Sequence, residues 1–366
     1  MVSSLSAIQG SLIGGAIGDA LGSPVEFLRW NDIKKHYGDA GIQRLEMDFE
    51  QGLALISDDT QMTLFTANGL LMYESYRAAS SEVPAPEQCI YDAYRDWYRC
   101  QCSRGIPRNN HSWLSDLPEM HEYRAPGITC LNALKANKAG SIANPINGSK
   151  GCGGIMRVAP VALWGFNKRS IEAIDLLAAE AAALTHGHPL GYMSAAALAD
   201  VISRLLKGDV DMYDAVAACR ESMCVLFREN EYLDELLRMI DLPVRLSKND
   251  RADVENIHEI GEGWTGEEAL GIALYCSLKY QNDFSGAVVA AVNHNGDSDS
   301  TGAIVGNIVG AKVGMEGIEG RWLRGLELKN TLLEMAQDLY DGCPADAESA
   351  ITKEAWNQKY NIACQN

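Results

Sequence analysis

The chain has 366 residues, 47% hydrophobic and 22% charged, the balance of a folded protein with a sizeable core. Its 31 basic and 49 acidic side chains sum to −18. A field of that sign repels phosphate backbones and anionic membranes, which sets aside general nucleic-acid and membrane binding.

The first predicted helix is AIQGSLIGGAIGDALG, where Gly14, Gly18 and Gly22 recur at every fourth position. It runs into GDALGSPVEF, which carries Glu26 just past Pro24. SDDT then opens a second helix, TQMTLFTANGLLMYESYRAA, with apolar residues at three- and four-residue spacing. Ser57 is a natural N-cap there, and Asp58 and Asp59 suit the dipole of a first turn. SRGIPRNNHSWLSDLPEMHEYRAPG, from Ser103 to Gly127, is the least regular stretch; a loop of that length is usually functional or mobile. SKGCGGIMR follows, with glycines ahead of an apolar helical run. It is neither a Walker loop nor a dinucleotide fingerprint, and it reads equally as a plain turn or an anion cradle.

Three Ala-rich helices come next, SIEAIDLLAAEAAALTH, YMSAAALADVISRLL and DMYDAVAACRESMCVLF. THGHP, with His186 and His188, reads as a helix end and turn. TGEEALGIALYCSLKY begins with Thr265 and Glu268 at capping-box spacing. DFSGAVVAAVNH leads to GDSDST, which opens a helix studded with Gly302, Gly306, Gly310 and Gly314, and LKNTLLEMAQDLYD completes the set. Alternating strands are scarce and no linker is evident. The expectation is an all-α protein, a single compact domain over residues 1–366.

Each glycine inside a helix costs about 1 kcal/mol relative to alanine, so two helices carrying such a series must be compensated. Spacing by four lines the glycines along one ridge, which allows a neighbouring backbone to approach closely. The ten cysteines sit at irregular spacing with no CxxC pair, and Cys100 with Cys102 lacks the partners of a zinc site. Reduced thiols, no signal peptide and no apolar run of roughly 18 residues lead to an expected cytoplasmic location.

Two acidic clusters, Asp58 with Asp59 and Asp297 with Asp299, each open a helix and each sit beside hydroxyls. Taken singly they do no more than start helices. Brought together, four carboxylates would repel unless protonated or neutralised by cations. All-oxygen donors suit Mg²⁺ or Mn²⁺, and two such ions would form a binuclear centre.

GDALGSPVE, SDDTQMT, GCGGIMRVAP, THGHPLGY and GDSDSTGAIVGN, in that order, resemble the ADP-ribosylglycohydrolase family. The resemblance runs from about Ile8 to Gly314; the C-terminal helices over 315–366 and the loop from Ser103 match less clearly. It implies an orthogonal all-α domain holding two divalent cations, Mg²⁺ or Mn²⁺. The implied ligands are Ser57, Asp58, Asp59, Asp297, Asp299 and Ser300; family members often have Thr at the position of Ser57. Glu26 falls where the family approaches the metals and the scissile bond, which makes Glu26 and Asp299 the catalytic candidates. Ser149, Lys150, Gly151 and Cys152 fall where the family holds the diphosphate, and His186 where it meets the ribose. The implied substrate is an ADP-ribosylated protein, and GDSDST looks more like the arginine-specific branch than the serine-specific one. Some members reverse a cognate ADP-ribosyltransferase. The rivals are another two-metal hydrolase of phosphate or nucleotide-ribose substrates, which would recruit His294, and a family member that kept only the fold.

Overall fold

The structure, a computed structural model, describes residues 2–79, 82–102, 112–208, 210–344 and 350–360. The described residues form α1 (Ser4–Gly22), α2 (Trp30–Tyr37), α3 (Asp58–Ala79), α4 (Pro86–Cys102), α5 (Ile128–Lys135), α6 (Ala159–Gly165), α7 (Ile171–Ala183), α8 (Pro189–Leu206), α9 (Met212–Leu226), α10 (Leu233–Leu246), α11 (Asp253–Ile260), α12 (Gly266–Lys279), α13 (Phe284–Val292), α14 (Ser298–Val313), α15 (Lys329–Asp341) and α16 (Ala350–Tyr360). Extended pairing among them amounts to two isolated bridges, Ala54 with Leu326 and Gly151 with Thr265. The fold is all-α, as expected.

The glycine ridges pack on each other. α1 and α14 run antiparallel, and a Cβ built on Gly10, Gly14 or Gly18 would lie 2.3, 2.3 or 1.9 Å from the carbonyl oxygen of Gly310, Gly306 or Gly302. Only hydrogen fits between carbon and oxygen at that range, so the glycines are what lets the two backbones touch. Gly10, absent from the expected series, is part of the ridge. Gly314 ends α14 at φ 70°, a conformation that glycine adopts without strain, and its backbone still packs on Gly10, whose added Cβ would lie 2.9 Å from the Gly314 Cα.

Buried apolar side chains from Ala7 to Tyr360 form one contiguous core. α8 and α12 are buried on nearly every face, which accounts for apolar residues all round them rather than along one stripe. At α12 the capping box is not formed. Thr265 makes no cap bond, and the Glu268 carboxylate instead accepts the N–H groups of Glu262 and Gly263 at 3.3 and 3.2 Å. Glu268 therefore fixes the turn before the helix rather than the helix end itself.

Of the irregular stretch, residues 103–111 lie outside the described residues. The rest folds into short 3-10 turns at Trp113–Asp116 and Pro118–His121, held by Gln61 and Gln101 Nε2 donating to the carbonyls of Glu119 and Met120 at 3.0 and 2.8 Å. Among the described residues Cys89, Cys100, Cys102, Cys130, Cys152, Cys219, Cys224 and Cys276 are free, and Cys364 is outside the described residues. Among the described residues no helix is long and apolar enough to cross a membrane.

Candidate active site

The antiparallel ridge has a chemical consequence at one end. Where α1 stops, a Cβ on Gly22 would lie 2.3 Å from the carbonyl oxygen of Ser298 and 2.5 Å from the nitrogen of Asp299. The chain leaving α1 makes a 3-10 turn, Ser23–Val25, and presents Glu26. The same contact therefore sets Glu26 beside the first turn of α14, with Asp297 at its N-cap and Asp299 inside it. Carboxylate oxygens of Glu26, Asp297 and Asp299 lie within 4.8 Å of one another.

α3 supplies the second cluster. Ser57 caps it as expected, its Oγ accepting the Asp59 N–H at 3.2 Å. Asp58 Oδ2 accepts the N–H of Gly127 at 3.1 Å, and the Asp58 N–H reaches the carbonyl of Arg124 at 3.3 Å. That brings the described end of the irregular loop to the site, where Ala125 holds a left-handed φ of 51°. The clusters converge on one cavity of about 520 Å³, lined by Glu26, Asp58, Asp59, Gly151, Cys152, His186, Asp297, Asp299 and Ser300 among others. The rims carry exposed apolar side chains, including Tyr123, Ile128 and a stacked pair, Phe27 and Trp264, with centroids 5.8 Å apart.

Ser57, Ser149 and Lys150 are not among the lining residues. Ser149 Oγ faces Thr129 and accepts the Gly151 N–H at 3.3 Å. The Lys150 ammonium pairs with Glu267 and lies 3.8 Å from Glu235. Gly151, Gly153 and Gly154 lack the Cβ atoms that would press on the His186 ring, within 3.4 Å of it in each case. The glycine loop is thus a seat for His186. His188 instead caps α8, its Nδ1 accepting the Leu190 N–H at 3.1 Å. His294 points elsewhere: Nδ1 contacts the carbonyl of Asn295 at 2.7 Å and Nε2 the Thr301 hydroxyl at 2.9 Å.

The electrostatics follow from crowding acids where water is scarce. Burial pushes Glu26 up to about 8, with the charges of Asp297 and Asp58 adding to it. Burial likewise takes Asp58 to about 7, and raises Asp59 and Asp299 well above the carboxylate range with help from their acidic neighbours. His186 is held neutral, its burial and the Arg157 charge lowering it to about 3.

Two supporting residues escaped the sequence reading. Asp19, fully buried on α1, accepts the Ser57 N–H at 2.9 Å and the Thr60 N–H and hydroxyl at 3.0 and 2.5 Å, so α1 caps α3 from the side. Its place in GDALG was the available signal. Arg157 is wholly buried, its guanidinium 4.3 Å from the Tyr94 ring and bonded to Thr185 at 2.5 Å.

A divalent cation fits these residues. The donors are oxygens, several carboxylates are crowded together, and Asp59 Oδ2 is buried without a hydrogen-bond partner. Such an atom is costly unless something cationic satisfies it.

The model of the ADP-ribosylglycohydrolase family matches residues 2–348. The chain is 25% identical over 336 residues to the ADP-ribosyl-[dinitrogen reductase] glycohydrolase of Rhodospirillum rubrum, covering 87% of this chain and 90% of that one. It is 24% identical over 376 residues to the ADP-ribosylhydrolase ARH3 of Homo sapiens, covering 92% and 93%. A solved structure titled ADP-ribosylglycohydrolase-related protein complex superposes with a TM-score of 0.65 at 24% identity, over 93% of this chain and 98% of that one, and shares its fold. With Glu26 and the acidic starts of α3 and α14 facing one cavity, this chain is a hydrolase that belongs to the ADP-ribosylglycohydrolase family.

Proposed function

We propose that the enzyme removes ADP-ribose from a modified arginine side chain of a protein, using two divalent cations, Mg²⁺ or Mn²⁺. The observation that carries this reading is the convergence of Glu26, Asp58, Asp59, Asp297 and Asp299 on one cavity beside the His186 loop. Ser57, Asp58, Asp59, Asp297, Asp299 and Ser300 would hold the cations. When bound, these supply positive charge that fixes the vicinal ribose hydroxyls and polarises water.

The chain's own residues do the rest. Glu26, on the cavity wall with its carboxyl within 4.8 Å of those of Asp297 and Asp299, would donate to the departing nitrogen. Asp299, which the bound cations would hold ionised, would be the matching base. Neutral His186 can hydrogen-bond the ribose without adding charge. The loop Ser149, Lys150, Gly151 and Cys152 holds the diphosphate in this reading, with Gly151 and Cys152 on the cavity wall. A guanidinium leaving group is cationic, and an acidic mouth lined by the Phe27 and Trp264 rings favours its approach.

The rival phosphatase-type centre would need His294, whose ring nitrogens are both engaged by Asn295 and Thr301. Residues 1–366 would make one domain, which the continuity of the core supports. Free thiols at Cys89, Cys100, Cys102, Cys130, Cys152, Cys219, Cys224 and Cys276 suit a reducing cytoplasm, where the enzyme would oppose a cognate ADP-ribosyltransferase.

Substitution tests the site. Loss of an outer partner of a metal ligand costs about 10–100-fold, so Asp299→Asn and Asp58→Asn should each lower turnover by at least about a hundredfold. The helical circular-dichroism signal should stay unchanged. Full metal-dependent activity in either variant would remove that residue from the site.

A further inference from the structure

The glycine loop contributes one side chain whose chemistry the oxygen-donor reading does not use. The N–H of Cys152 donates to the carbonyl of Trp264 at 3.1 Å, and Gly266 returns a bond to the Lys150 carbonyl at 2.7 Å. The loop is therefore fastened to the turn before α12, and the Cys152 amide is spent there. What Cys152 offers the cavity is its thiol. Sγ donates to Asp297 Oδ2 at 2.7 Å, and the Ser300 hydroxyl lies against the same sulfur. Across the cavity wall stands the independent sign of a missing ligand, the buried and unpartnered Oδ2 of Asp59.

We propose that Cys152 is a sulfur ligand of the metal centre, sharing one cation with Asp297. The inference rests on the reading of Asp297 as a metal ligand. Sulfur and oxygen bound to one ion at about 2.3 and 2.1 Å lie roughly 3.1–3.6 Å apart. The thiol, now 2.7 Å from Asp297 Oδ2, needs to shift by roughly 0.4–0.9 Å to reach that spacing. On binding, the S–H bond breaks, a sulfur–metal bond forms and the proton passes to bulk water. A centre built otherwise from oxygens thereby acquires a preference for thiophilic ions, such as Co²⁺ and Cd²⁺, over Mg²⁺.

Titrating the metal-free full-length protein with Co²⁺ tests this by absorption, without reference to turnover. Ligation predicts a sulfur-to-cobalt charge-transfer band in the near ultraviolet that is lost in Cys152→Ser. The band should survive in Cys130→Ser, since Cys130 also lines the cavity but takes a hydrogen bond from Arg157 at 3.3 Å. Cys152→Ser should also weaken Cd²⁺ binding by about tenfold or more while leaving Mn²⁺ within about twofold. Co²⁺ bound with visible d–d bands but no charge-transfer band, or a band that persists in Cys152→Ser, overturns the sulfur ligand and spares the metal centre. No Co²⁺ bound at all overturns both.

Discussion

Asp19 is not among the residues that line the cavity, yet it sets the position of those that do. Its buried carboxylate holds the Ser57 and Thr60 N–H groups and the Thr60 hydroxyl, orienting the turn that bears Asp58 and Asp59. Burial raises it to about 6 while those bonds pull it back down, so it is ionised at neutral pH. Asp19→Ala strips several donors of their partner at a cost of roughly 1–3 kcal/mol for each one left buried. Chemical denaturation should show a loss of about 3 kcal/mol or more, and isothermal titration a metal affinity lower by about 10–100-fold. Unchanged metal affinity would reduce Asp19 to a helix cap. The acids of the two clusters were legible because two carboxylates beside hydroxyls at a helix start are an unusual pattern. Asp19 was not, since a lone acid inside a glycine helix gives no hint of what it faces. The partners of Lys150, Glu235 and Glu267, were not legible either, being remote in sequence.

At the scale of elements, the glycine series announced close packing but not its partner. Each ridge turned out to be the other's, with α1 and α14 interlocked so that their chemical ends meet. A Cβ on Gly310 would lie 2.0 Å from the Gly10 carbonyl oxygen, and one on Gly302 2.4 Å from that of Gly18. Overpacking of this kind costs about 1–3 kcal/mol or more, so Gly310→Ala and Gly302→Ala should both lower the unfolding midpoint. Gly302 lies near the acidic turn and Gly310 two turns further along, so Gly302→Ala alone should also weaken metal binding. Equal metal affinity in both would mean that the ridge does not position the acids. Most other long helices were readable where apolar residues recur at helical spacing, but α4, over Pro86–Cys102, was not among those identified. α10 was not, because Pro243 sits inside it as a helix-breaking signal. α2, α5 and α11 span eight residues each, too few for a period to emerge.

For the whole molecule, the acidic centre links stability to pH. Glu26, Asp58 and Asp19 stand at about 8, 7 and 6 in the metal-free fold. Unfolded carboxyls release their protons near pH 4, so each of these acids holds its proton longer in the folded state. His186, lowered to about 3, acts in the opposite sense below its ordinary value near 6.5, which leaves about pH 6.5 to pH 8 as the window the acids control. Stability must then fall as pH rises through that window. In chelator, the melting temperature should drop by several degrees between about pH 6.5 and pH 8, and Mn²⁺ should restore it most at the upper end. A melting temperature that rises with pH in chelator would contradict the crowded-acid description.

The most direct test of the central claim is release of free ADP-ribose from a protein mono-ADP-ribosylated on arginine, incubated with this enzyme and Mg²⁺ or Mn²⁺, then with chelator. A serine-modified protein serves as the parallel substrate. The account predicts metal-dependent release from arginine, abolished by chelator, with little from serine. Release from serine alone would contradict the assigned linkage, and no release from either substrate with metal bound would contradict the proposed reaction.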